Sequence, residues 1–199
     1  NMDSEEEGIF LVSCAGGATA TITLPVMQRI HKKDKQYGIH IRGLQGGHSG
    51  TEIDKGLANA SVVLGRVLAA LQEKAQIQLI CIQGGKKDNA IPREAEAFFT
   101  SSEREETLRQ TAEEIQQMIQ SEYRETEPQM EFVWSQEEGD CRVMGEEETK
   151  KVITLLRILP AGVQKMSREI EGLVQTSLNL GVLELSLIHI SEPTRPEPI

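Results

Sequence analysis

Residues 37–71 read YGIHIRGLQGGHSGTEIDKGLANASVVLGRVLAAL, and this stretch decides the fold. Its first part alternates apolar Ile39 and Ile41 with polar His40 and Arg42, which is the period of a half-buried strand. After a glycine-rich turn, apolar residues recur at helical spacing; they are Ile53, Leu57, Ala60, Val63, Leu64, Val67, Leu68 and Leu71. The stretch therefore predicts a strand, a tight turn and an amphipathic helix.

The same succession of elements follows downstream. Apolar runs at residues 77–82 and 94–100 predict two strands, and the glycines and proline between them predict a loop at residues 84–93. Ser102 and Glu105 have the spacing of a capping box and predict the start of a second amphipathic helix, which a strand at residues 130–134 follows. The order β-α-β-β-α-β predicts an α+β fold with a ferredoxin-like core over about residues 37–134.

The flanks of this core carry weaker patterns. Short apolar runs predict strands at residues 9–12 and 22–26, whereas the polar, cationic residues 31–35 predict a hairpin or linker. A helix is predicted over residues 146–159, stopped by the next residue, a proline, and a strand over residues 173–183. We expect that last strand to return to another domain.

Composition limits the possible partners and compartment. A formal net charge of -10 over 199 residues disfavours nucleic acid as a partner, although such a charge also serves solubility alone. The cysteines (Cys14, Cys81 and Cys141) are odd in number and widely spaced, so they predict neither a disulfide framework nor a structural zinc. Neither a signal peptide nor a membrane-spanning run is visible. We therefore expect a cytoplasmic protein with no membrane partner.

The two ends of the sequence are unusual. The chain begins with Asn1 in the middle of an acidic motif, which suggests that residues are missing before it. From Leu185 the sequence runs LSLIHISEPTR, which is identified as the in-frame translation of a DNA-sequencing adapter. A native proline-rich tail is the alternative. We expect residues 185–199 to lie outside the native fold, and we assign no function to His189.

Three segments carry residues suited to chemistry. Asp3 lies in an acidic cluster just before an apolar run and could ligate a cation such as zinc. His48 lies between glycines that leave its imidazole uncovered, so it could polarise a carbonyl oxygen or bind a carboxylate. Asn89 offers a donor and an acceptor, and Arg93 is suited to bidentate carboxylate binding.

Each segment also has a plain structural explanation. The acidic cluster around Asp3 could be a solvated turn, and the glycines around His48 could form a tight strand-to-helix turn with an incidental histidine. The segment containing Asn89 and Arg93 could be an ordinary loop. Taken one at a time, none of these patterns decides a function.

Taken together, the motifs occur in one characteristic order. They are residues 1–8 (NMDSEEEG), 14–17 (CAGG), 43–50 (GLQGGHSG), 89–95 (NAIPREA) and 172–181 (GLVQTSLNLG). This series resembles the aminoacyl-histidine dipeptidases, also called cytosol non-specific dipeptidases, within the co-catalytic zinc peptidases. The resemblance extends from Asn1 to about residue 183.

The resemblance implies a catalytic α/β domain with two metal ions and a ferredoxin-like lid or dimerisation domain inserted into it. On that basis residues 1–20 would be the edge of a first catalytic-domain segment and residues 21–184 the lid or dimerisation domain. Asp3 would ligate one metal ion, His48 would stabilise the oxyanion of the transition state, and Asn89 and Arg93 would bind substrate. Two zinc ions, a dipeptide substrate and a homodimer are implied in the same way.

The resemblance also implies further catalytic residues, which would lie before Asn1 or after the adapter junction. These are a His-x-Asp pair, a bridging aspartate, a Glu-Glu pair and a C-terminal ligand histidine. We therefore expect the parent protein to hydrolyse dipeptides of the Xaa-His type with a metal-activated water, and the present chain to be inactive alone. The alternative is a non-enzymatic ferredoxin-like dimerisation or regulatory module.

Overall fold

The structure, a computed structural model, describes residues 16–185, with the side chains of residues 32–34 excepted. The expected strand at residues 9–12 and nearly all of the expected adapter tail lie outside the described residues. The strands are β1 (Gln28–Arg42), β2 (Gly47–His48), β3 (Ile77–Gly84), β4 (Ala90–Ile91), β5 (Ala95–Ser101), β6 (Glu131–Met144), β7 (Gly162–Met166), β8 (Val174–Leu178) and β9 (Leu183–Glu184). The helices are α1 (Ala60–Lys74), α2 (Glu105–Glu122) and α3 (Glu146–Ile158), and a short 3-10 turn spans Ile53–Lys55.

The main sheet has the strand order β6-β1-β5-β3-β9, and its neighbouring strands are antiparallel. Its first four strands alternate with α1 and α2 along the chain as β-α-β-β-α-β. This is the ferredoxin-like arrangement that the sequence predicts, with β9 added at one edge. None of the helices within residues 16–185 is long and apolar enough to span a membrane.

The core lies between this sheet and the helices. Ile39 and Ile41 of β1 are buried, whereas Arg42 is exposed, so the predicted alternation is confirmed. α1 packs against the sheet and also contacts α2 and α3. Its buried stripe includes Leu64, Leu68 and other aliphatic residues, in keeping with a composition poor in aromatics.

The first helix begins later than its apolar pattern suggests. The side chain of Asn59 accepts the backbone N–H groups of Ser61 and Val62, and α1 begins at the next residue, Ala60. Asparagine is among the preferred N-cap residues because it satisfies N–H groups that have no partner within the helix. Ile53 belongs instead to the separate 3-10 turn.

Several predictions for the flanks are wrong. Residues 22–26 form no strand, and residues 31–35 lie inside β1, where Lys35 is paired with Glu138 of the extended strand β6. This long-range pairing converts a polar segment, which by itself resembles a linker, into a strand. Residues 173–183 are not one strand, because β8 pairs with β7 in a hairpin and β9 joins the main sheet.

The predicted capping box is also wrong. α2 begins at Glu105 with Arg104 in the N-cap position and with no side-chain cap. The hydroxyl of Ser101 accepts the N–H of Glu103, so the serine one residue earlier forms a local turn before the helix. The helix over residues 146–159 is confirmed as α3.

Candidate functional site

Two of the three predicted segments meet in the fold. β2 pairs with β4, with His48 opposite Ala90, and the backbone N–H of Ser49 donates to the carbonyl of Asn89 at 3.0 Å. His48 in β2 therefore lies next to the turn that carries Asn89 and leads into β4, although 40 residues separate the two in sequence. The sequence presented them as separate motifs, and only the strand pairing makes them one site.

The histidine ring is held in a defined orientation. His48 is exposed, and its Nδ1 accepts the backbone N–H groups of Gly50 at 3.1 Å and Thr51 at 3.2 Å. An Nδ1 that accepts carries no hydrogen, so the neutral ring holds its hydrogen on Nε2. The exposed imidazole therefore presents a hydrogen-bond donor, Nε2–H, on the side away from its own turn.

The carboxylate of Glu52 stabilises the turn that carries His48. Its Oε2 accepts the backbone N–H of His48 at 2.8 Å, and its Oε1 accepts Nζ of Lys55 at 2.6 Å. Two hydrogen bonds lower the pKa of the Glu52 carboxyl below its ordinary value. The larger effect comes from the Lys55 ammonium and the smaller from the His48 N–H. Both contacts stabilise the ionised carboxylate, so the turn is best held where Glu52 is charged.

Acid should therefore loosen this turn. The folded pKa of Glu52 lies below the unfolded value of about 4.3, so its contribution is present above that value and is lost as the pH falls through the folded pKa. We expect the amide resonance of His48 in 1H–15N spectra of the 199-residue chain to move with this acid titration. The Glu52→Gln variant should lose this transition. An identical acid response in both proteins would show that Glu52 does not hold the turn.

Arg93 contacts the segment between β1 and β2 that precedes His48. Its Nε donates to the carbonyl of Leu44 at 3.1 Å, and its aliphatic part lies over Gly46. Gly46 has a φ of 62°, and a Cβ there would meet the side chain of Arg93 and, at 3.0 Å, the carbonyl oxygen of Ile91. Glycine is therefore required at this position, and Arg93 braces the turn. The residue as a whole remains exposed, and substrate binding by it stays a prediction.

The loop that carries Asn89 is fixed from the other side by an asparagine pair. Nδ2 of Asn179 donates to the carbonyls of Asp88 at 3.2 Å and Ala90 at 2.8 Å, on both sides of Asn89. Oδ1 of Asn179 in turn accepts Nδ2 of Asn59 at 3.1 Å. Asn89 itself is exposed.

Sequence reasoning missed Asn59 and Asn179 as supports of the site. Asn179 lies in the motif at residues 172–181, but its partners are loop carbonyls that no sequence pattern identifies. Asn59 could have been found as an N-cap residue, because it directly precedes the buried apolar stripe of α1.

The site is rich in hydrogen-bond donors. The imidazole Nε2–H of His48, the amide of Asn89 and the guanidinium of Arg93 all suit an anionic oxygen, either a carboxylate or a developing oxyanion. Asp3, the predicted metal ligand, lies outside the described residues. Within residues 16–185 no group of three or more His, Cys, Asp or Glu side chains could hold a metal ion, so the described residues do not themselves form the predicted metal site.

Comparison with known proteins identifies relatives of this chain. Residues 39–127 match a family described as the peptidase dimerisation domain. The chain is 34% identical over 188 residues to the cytosol non-specific dipeptidase of Escherichia coli (strain K12). The aligned region covers 94% of this chain and 39% of that protein. It therefore spans about two fifths of the length of this curated relative.

A solved structure gives the same relationship. The aminoacylhistidine dipeptidase from Vibrio alginolyticus superimposes with a TM-score of 0.73 at 30% identity. The match covers 79% of this chain and 33% of that structure. Both relatives are thus matched over most of this chain and over a minor part of their own length.

Proposed function

Since the chain is a relative of the aminoacyl-histidine dipeptidases and contains a peptidase dimerisation domain, we propose that it is the lid-bearing part of a dipeptidase. The substrates we propose are dipeptides of the Xaa-His type. The observation that supports the proposal is the β2–β4 pairing, in which the exposed His48 stands opposite Ala90, the residue that follows Asn89.

The residues of this chain would act by binding and by charge stabilisation. A peptide carbonyl under attack becomes an oxyanion, and the Nε2–H of His48 is a preoriented donor for it because Nδ1 is occupied by two backbone N–H groups. Asn89 and Arg93 would hold the dipeptide. The Asn89 amide would bind the backbone groups of the dipeptide, and the Arg93 guanidinium would bind the carboxylate of the dipeptide.

The reaction also requires an activated water. Dipeptidases of this family are metallopeptidases, and we propose zinc as the metal, two ions per active site, with Asp3 as one ligand. Zinc supplies a nucleophilic water at neutral pH. We propose that the general base and the other ligands come from outside residues 1–199, since the chain spans 39% of its curated relative.

We further propose a homodimer in the cytoplasm. The peptidase dimerisation domain at residues 39–127 supports the dimer, and the curated relative is named as a cytosolic enzyme, which supports the compartment. The boundaries proposed for the pieces are residues 1–20 for the catalytic-domain edge, 21–184 for the lid, and 185–199 for adapter sequence. The backbone N–H of Leu185 nevertheless donates to the carbonyl of Ile82, so this first residue of the tail continues the edge pairing of β9.

The function is tested by assaying two proteins side by side. We expect the complete polypeptide encoded by the gene to hydrolyse Xaa-His dipeptides, to lose activity with a chelator and to regain it with zinc. The purified 199-residue chain should be inactive under the same conditions. A complete polypeptide that is folded and metal-loaded but does not cleave dipeptides would favour the non-enzymatic dimerisation or regulatory module. Zinc-dependent hydrolysis by the 199-residue chain alone would refute the proposed division of catalytic residues.

A further inference from the structure

A buried carboxylate lies behind the site, away from its exposed donors. Glu127 follows α2 and is only 3% exposed. Its Oε2 accepts the backbone N–H of Gln45 at 2.7 Å, and its Oε1 accepts the backbone N–H of Ala58 at 2.9 Å. Gln45 and Ala58 are the first and last residues of the segment 45–58, here called the His48 loop. A single side chain, that of Glu127, therefore holds both ends of the loop that presents the histidine.

Glu127 is itself fixed in place. Its backbone N–H donates to the carbonyl of Tyr123 at 2.7 Å, and its carbonyl accepts the N–H of Met130 at 3.1 Å. A further contact joins the same two segments, because Nε2 of Gln45 donates to the carbonyl of Thr126 at 2.6 Å. The His48 loop is therefore attached to the turn that joins α2 to β6 and not only to its own flanking elements.

The chemistry of this contact requires a carboxylate. A buried charge is unfavourable unless it is satisfied, and here each oxygen accepts one backbone N–H. A glutamine in the same position would present one acceptor and one NH2 group, and the NH2 group would face a backbone N–H. One end of the His48 loop would then be released.

We propose that Glu127 is the positioning residue of His48. It fixes the separation and direction of the two ends of the His48 loop and so places the imidazole Nε2–H where the oxyanion develops. This rests on the proposed function, since it assumes that His48 meets charge in the transition state. Glu127 touches no substrate and acts only through the loop.

The test compares Glu127→Gln with Glu125→Gln, a matched control that neutralises an exposed glutamate two residues earlier in the same turn. In the 199-residue chain, hydrogen exchange at the amides of Gln45 and Ala58 should become at least about 10-fold faster in Glu127→Gln and stay unchanged in the control. In the complete polypeptide, kcat should fall by about 10-fold or more while KM stays within about 3-fold, because transition-state contact is lost and ground-state binding is kept.

A milder variant guards against misfolding. Gln45→Ala removes only the exposed side-chain contact to Thr126, and it should lower kcat by about 2- to 5-fold with an unchanged melting temperature. The proposal is overturned if Glu127→Gln leaves kcat equal to that of the control, or if exchange at Gln45 and Ala58 does not change. A wild-type polypeptide without dipeptidase activity would remove the proposed function instead, and the exchange experiment would still decide whether Glu127 holds the loop.

Discussion

Replacing His48 by alanine in the complete polypeptide should lower kcat by about 100- to 1,000-fold, the range typical of removing one oxyanion donor. KM should change little, and the zinc content of the purified protein should stay the same. The reason is that His48 is proposed to meet charge only in the transition state and to bind no metal. Steady-state kinetics together with elemental analysis of the metal measure both parts of the prediction.

The fold should survive this substitution. The imidazole is exposed, and the N–H groups of Gly50 and Thr51 that it accepts are at the surface, where water can replace it. The expected loss in the free energy of unfolding is about 1 kcal/mol or less. His40→Ala is the matched control, since His40 is a partly exposed histidine of the same domain, 3.9 Å from Glu94, and its loss should change kcat by no more than about 2-fold. Loss of zinc from the His48 variant would show that the histidine is a ligand and that the proposed role is wrong.

The sequence predicted the ferredoxin-like core because its signals are local. The alternation of Ile39 and Ile41 with polar residues, and the helical spacing from Val63 to Leu71, report which face of each element is buried. Once six such elements stand in the order β-α-β-β-α-β, few sheet topologies are available. The observed order β6-β1-β5-β3 is the expected one.

What the sequence did not show depends on distant partners. The polar residues 31–35 become part of β1 only because β6 extends to Met144 beside them. Ser102 has the spacing of a capping box, but the neighbouring hydroxyl of Ser101, which donates to the distant carbonyl of Gln76, forms the turn instead. In both cases an interaction outside the local pattern decided the conformation.

The same holds for the candidate site. His48, Asn89 and Arg93 could be selected from the sequence because glycine-flanked or loop-borne polar residues suit binding. Their common location depends on the β2–β4 pairing. Glu127 stands among other glutamates in residues 122–127 and has the composition of an ordinary solvated turn, so only its burial and its two backbone partners distinguish it.

Residues 85–89, the loop between β3 and β4 and here called the Asn89 loop, should depend strongly on Gly85. Gly85 has a φ of 68°, and a Cβ there would collide with the backbone carbonyl oxygen of Gly181 and approach Cγ of Pro92 to 2.9 Å. Gly85→Ala therefore adds a backbone collision to the strain of a left-handed conformation, which itself amounts to about 1–2 kcal/mol. Because residue 181 lies just beyond Asn179, the displaced segment should also weaken the hydrogen bonds from Asn179 that flank Asn89.

A second glycine, Gly56, separates the backbone collision from the strain of the left-handed conformation. Gly56 also has a φ of 68°, but the nearest atom to an added Cβ, Cγ2 of Thr126, is 3.9 Å away, so Gly56→Ala carries the left-handed strain alone. In Gly85→Ala, overpacking adds about 1–3 kcal/mol to the about 1–2 kcal/mol of left-handed strain. This variant should therefore lose about 2–5 kcal/mol of the free energy of unfolding. In thermal unfolding of the 199-residue chain this corresponds to a fall in Tm on the order of 10 °C, against about 4 °C for Gly56→Ala. Equal shifts in the two variants would mean that Gly181 and Pro92 do not restrict residue 85, since these two contacts distinguish the two positions.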